Sequence, residues 1–64
     1  MQILLIDELE LVIISLISIN NKFSVRLVEK EDNSMSVLRD FNEKDKAIEF
    51  YYSELAKLNV NYAN

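Results

Sequence analysis

The side chains best placed to do chemistry in this chain are carboxylates. Asp7, Glu8 and Glu10 crowd one short stretch, and Glu29, Glu31 and Asp32 crowd another. Paired acids can hold Mg²⁺ or Ca²⁺ or work as general acid and base. The second group lacks EF-hand spacing and its glycine, and suits a solvated turn. The first suits an acidic patch that keeps a strand junction soluble and blocks unwanted edge pairing.

The other parts of familiar active sites are missing from the composition. There is no Cys and no His. Ser15, Ser18, Ser24, Ser34, Ser36 and Ser53 therefore have no imidazole to activate them. There is also no Gly, which removes the nucleophile elbow and the phosphate-cradling loops. The expectation is a noncatalytic protein with no cofactor and no metal. A carboxylate- and metal-dependent enzyme is the catalytic alternative, and a melting temperature raised by Mg²⁺, Mn²⁺ or Ca²⁺ would reveal it.

Binding is the remaining chemistry. Phe50, Tyr51 and Tyr52 form an aromatic group, with Tyr51 expected in the core and Phe50 and Tyr52 on either side of it, where aromatics can anchor a partner. Arg26 and Arg39 are too few to mark a phosphate site in an acidic protein. The net charge of −4 opposes binding to nucleic acid or an anionic membrane.

The elements that must position these residues follow from pattern and punctuation. A chain of 64 residues is one domain, 1–64, with a modest core. Without Gly, positions needing positive φ fall to Asn or Asp. Asn20-Asn21, Asn33, Asn42 and Asn59 mark such boundaries. Gln2 to Ile6 reads as a first strand. Leu9 to Ile19 is rich in β-branched residues and reads as a second. Asn20-Asn21 forms a two-residue type I′ turn to a third, Lys22 to Lys30, whose apolar and polar residues alternate. That hairpin pairs Ile19 with Lys22, Leu16 with Val25 and Ile14 with Leu27, and puts Val12, Ile14, Leu16, Phe23, Val25 and Leu27 on one face. Met35 to Phe41 makes a further strand with Met35, Val37 and Phe41 inward, where Arg39 interrupts the face and marks the strand's end as an edge. Asn42 caps a helix to Leu58 whose stripe is Ala47, Ile48, Tyr51, Leu55 and Leu58, with Asn59 closing it. Val60 to Asn64 is a tail in which Val60 and Tyr62 either pack back or fray.

The fold expected is α+β: an antiparallel meander of three to four strands with one C-terminal helix packed on one face. The alternative is helix–hairpin–helix with residues 2–19 helical, because Leu5, Leu9, Val12, Leu16 and Ile19 also fit a helical stripe. One helix covers one sheet face. The strand reading therefore strands Leu9, Leu11, Ile13, Ile17, Ile19 and Val28 on the other, joined by Leu4 and Ile6. A second copy or another protein is the expected cover, since disulfides and zinc cannot stabilise this chain.

The function expected is a small acidic protein-binding module: a homodimeric inhibitor or adaptor, of a kind encoded by phage or mobile elements. Its surface would use the uncovered face, the acidic patch of Asp7, Glu8 and Glu10, or Phe50 and Tyr52. A structural subunit of a larger assembly is the alternative. The start lacks a basic n-region and the uncharged stretch between Glu10 and Lys22 is too short to span a bilayer, so a cytoplasmic protein with no membrane contact is expected.

Overall fold

A computed structural model describes residues 1–62. Four strands precede one helix: β1 (Gln2–Glu8), β2 (Val12–Ile19), β3 (Lys22–Glu29), β4 (Met35–Phe41) and α1 (Lys44–Tyr62). The strands form one antiparallel sheet in the order β1-β2-β3-β4. This is the α+β meander; residues 2–19 are two strands rather than a helix. β-Branched side chains explain that outcome, since five of the eight residues of β2 are Val or Ile.

The β2–β3 hairpin has the expected register, with Ile19 opposite Lys22, Leu16 opposite Val25 and Ile14 opposite Leu27. Asn20 and Asn21 sit at φ of 51° and 63°, as a type I′ turn requires. Asn33 also has positive φ, 58°, in the β3–β4 turn. There the Asp32 carboxylate accepts the Ser34 N–H at 2.9 Å, which holds that acid below its ordinary value. The Glu29 N–H closes the same turn onto the Ser34 carbonyl.

Helix α1 lies over β2, β3 and β4. Val12, Ile14, Leu16 and Val25 of the sheet and Ala47, Tyr51 and Leu58 of the helix form the buried core. Ile48 and Leu55 complete the helical stripe from half-buried positions. Phe23 and Leu27 flank the core on β3.

Two bulges change what faces the helix. Ile3 pairs with Ile17 but Leu5 pairs with Leu16, so Leu4 is an extra residue in β1. Val25 pairs with Arg39 but Arg26 pairs with Val37, so Leu38 is an extra residue in β4. An inserted residue moves every side chain beyond it to the other face. Met35 and Val37 therefore point away from the helix, not inward, and are 50% and 47% exposed. Phe41 does face the helix, as expected, Arg39 shares that side, and Leu38 packs there with them. In β1 the same effect turns Leu4 toward the core, where an outward residue was expected, and puts Ile3 outside with Ile6.

The helix also differs at both ends. Its first turn is closed by the Ala47 N–H donating to the Glu43 carbonyl at 3.2 Å, which makes Glu43 the N-cap in place of Asn42. Phe41 is held in the sheet opposite Phe23, and Asn42 is used in the bend that frees the chain to turn. At the other end Asn59 continues the helix, which runs to Tyr62. Among the described residues only Asn20, Asn21 and Asn33 have positive φ, so Asn59 is no left-handed cap. Val60 stays 72% exposed on the helix rather than packing back. The side chain of Tyr62 and all of Ala63 and Asn64 lie outside the described residues.

Candidate interaction surface

The sheet face opposite α1 carries four of the large apolar side chains that the fold leaves exposed, Ile3, Ile6, Met35 and Val37. Pairing across the ladders places its side chains in rungs, since directly opposed residues share a face. One rung is Ile3, Ile17, Ser24 and Asp40; the next is Ile6, Ser15, Arg26 and Val37; the third is Glu8, Ile13, Val28 and Met35. Ile19 and Lys22 close the hairpin end. Ile3 and Ile6 are 55% and 58% exposed, so β1 and β4 both offer large apolar side chains to solvent here.

The residues expected on this face are divided. Ile13, Ile17, Ile19 and Val28 lie on it. Ile17 is nonetheless buried, while Ile13, Ile19 and Val28 are half-buried. Leu9 does not belong to it. The strand starts at Val12, and the Leu9 N–H donates to the Val12 carbonyl at 2.8 Å, folding Leu9 back against the helix-side core. Leu11 sits in that β1–β2 turn, 55% exposed, over a shallow cavity of about 210 Å³ that it lines with Val12, Glu29 and Glu31. Ile3, Met35 and Val37 are the members that sequence reasoning missed. The two bulges put them there, and no residue type in β1 or β4 announces a bulge.

Phe50 and Tyr52 are on the helix side, away from this face. Phe50 packs on Phe41, ring centres 5.4 Å apart, and the Arg39 guanidinium lies over both rings at 5.3 and 5.9 Å. Tyr52 is half exposed and meets Tyr51 edge to face. It borders a groove of about 270 Å³ with Leu4, Leu5, Leu16, Lys44 and Ile48, where the helix stops short of β1.

The acidic patch does not form a single surface. Successive strand residues point to opposite faces, so Asp7 and Glu8 part company. Asp7 lies half-buried on the helix side and accepts a 2.5 Å hydrogen bond from the Tyr51 hydroxyl, which also lies 3.4 Å from the Ile14 carbonyl oxygen. Burial, followed by the bond to Asp7 and its charge, pushes the Tyr51 hydroxyl well above its ordinary value. Glu8 is on the open face, where the Lys30 ammonium donates to it at 2.6 Å and holds it below the usual carboxylate range. Glu10 is exposed in the turn. Among the described residues no three of His, Cys, Asp and Glu converge on a common point that could hold a metal ion.

Arg26 is the most unusual group on the open face. It is half-buried and surrounded by aliphatic side chains and serines. Its Nε–H donates to the Ser24 hydroxyl at 3.2 Å, and Ser24 is itself buried. Among the described residues no carboxylate lies within 4.0 Å of it. Among the described residues, no helix is long and apolar enough to cross a membrane. Comparison with family models, curated proteins and solved structures gave no match.

Proposed function

We propose that this chain is a noncatalytic protein-binding module, an inhibitor or adaptor, that works through the open face of its sheet. The observation that carries this reading is the exposure of Ile3, Ile6, Met35 and Val37 together on one face of a four-stranded sheet. Single apolar residues on a surface need no explanation, but several large ones gathered on one face and rimmed by polar groups suit a contact surface. The rim here is Lys22, Asp40 and the Glu8–Lys30 pair.

The test uses a hydrophobic dye and the association state of the intact chain. The wild type is expected either to bind the dye or to self-associate. Val37→Asp combined with Ile6→Glu should abolish both while leaving the circular dichroism spectrum unchanged. A wild-type chain that stays monomeric at millimolar concentration and binds no dye would sink the proposal.

A further inference from the structure

The charges on the open face say what fits it. Glu8 is already paired with Lys30 at one end. Among the described residues that leaves three charged groups of this face outside any ion pair: Lys22 at the exposed hairpin end, Arg26 in the interior and Asp40 at the β4 edge, the last two on neighbouring strands and adjacent rungs. Lys22 lies at the solvated rim, whereas Arg26 and Asp40 are opposite in sign and lie where a covering molecule would meet them, which suits a self-complementary surface. In a two-fold contact, if residue i meets residue j then j also meets i.

We propose that the open face binds a second copy of this chain, stacked face to face about a two-fold axis that runs across the strands, with Arg26 of each copy against the partner's Asp40. This rests on the open face being a contact surface, as proposed above, and names its occupant. The charges choose the axis. Placed between the Ser24 and Arg26 rungs, it lays each of these rungs over the other. Ile3 then meets the partner's Ile6, and Ile17 meets the partner's Ser15. Sheets stack about 10 Å apart and neighbouring strands lie about 4.8 Å apart, so a long arginine side chain spans the gap and reaches one strand over to the carboxylate. An axis along the strands instead sets Arg26 over Ser15 and Asp40 over Ile3, burying both charges unpaired, which is strongly unfavourable. An axis on the Arg26 rung itself opposes arginine to arginine.

The size of the face agrees. Four strands of seven or eight residues cover roughly 19 by 25 Å, about 480 Å² in projection before side-chain relief is counted. That is of the order of the ~800 Å² of accessible area that each partner contributes to a stable interface.

Charge exchange tests the arrangement. Light scattering on a sizing column should give a dimer for the wild type. Arg26→Asp faces Asp40 of its partner with a like charge, and Asp40→Arg faces Arg26 likewise. Each variant alone should be monomeric, its dissociation constant raised about 100-fold or more. Mixed in equal amounts, the two should regain the dimer, because both cross-contacts are again opposite in sign; this recovery also shows that both variants fold. If both variants remain dimeric, the dimer uses another surface and the proposal falls. If the wild type is monomeric but binds dye through the face, the occupant is a different protein; the self-association proposal falls while the contact surface stands. If it is monomeric and binds no dye, both fall.

Discussion

The two faces of the sheet are built from the same residue types and end in different states. On the helix side, Val12, Ile14, Leu16 and Val25 are buried under Ala47, Tyr51 and Leu58. On the open side, Ile3, Ile6, Met35 and Val37 are about half exposed. Hydrophobicity does not distinguish them; the presence of a covering element does. The polar groups follow the same division. Asp7 on the covered side is bound to a buried tyrosine, whereas Arg26 on the open side donates to a serine and, among the described residues, meets no carboxylate. A covered face satisfies its polar groups from within the chain, and an open one can leave them for a partner.

The sharpest way to break this contrast is to cut both faces by the same chemistry. Leu16→Ala removes a fully buried side chain and should cost about 2–5 kcal/mol by urea denaturation. Val37→Ala, measured at concentrations where the chain is monomeric, should stay within about 0.5 kcal/mol. A loss at Val37 as large as that at Leu16 under those conditions would mean the open face is buried within one chain, contrary to the structure.

Tyr51→Phe probes the polar tie across the covered side. It leaves the half-buried Asp7 without its donor and should cost about 1–3 kcal/mol. The same bond sets a pH dependence. The folded hydroxyl holds its proton above the ordinary value of 10.0, so the folded chain keeps a proton that the unfolded chain gives up. This contribution is complete below pH 10 and is lost as pH rises beyond it, at up to about 1.4 kcal/mol per pH unit. Thermal melts from pH 9 to 11.5 should show a steeper decline for the wild type than for Tyr51→Phe; parallel curves would contradict the burial of this hydroxyl.

A smaller effect is expected at the hairpin that joins the two central strands and so aligns both faces. Asn20→Val forces a β-branched residue into a left-handed conformation and should cost about 1–2 kcal/mol. Glu8→Gln should be smallest of all. It breaks an exposed ion pair with Lys30, and at physiological salt the melting temperature should not move measurably.

The central hairpin was legible because its information is local. Two adjacent asparagines specify the turn, the turn specifies the register, and strict alternation in Lys22–Leu27 specifies the face. The stripe of α1 was legible for the same reason. The outer strands were not, because each contains one residue too many for its partner. Nothing in Leu4 or Leu38 marks it as an insertion; the excess exists only relative to β2 or β3. The candidate surface inherits that split. Ile13, Ile17, Ile19 and Val28 could be read from the hairpin, whereas Ile3, Met35 and Val37 came from the bulged edges, and Leu9 was withdrawn to the core by its turn.

The acidic stretch with which the reading began shows the same boundary. The sequence by itself determined that these carboxylates have no histidine, cysteine or glycine to work with, and that one helix must leave a face of the sheet open. Composition and short-range pattern decide both. Only the tertiary structure decided that Asp7 turns inward to Tyr51, that Glu8 turns outward to Lys30, and that Arg26 donates to Ser24 on the open face and, among the described residues, forms no ion pair. Those outcomes depend on contacts between residues as far apart as 44 positions, and strand pairing and bulges, not residue type, fix which groups meet.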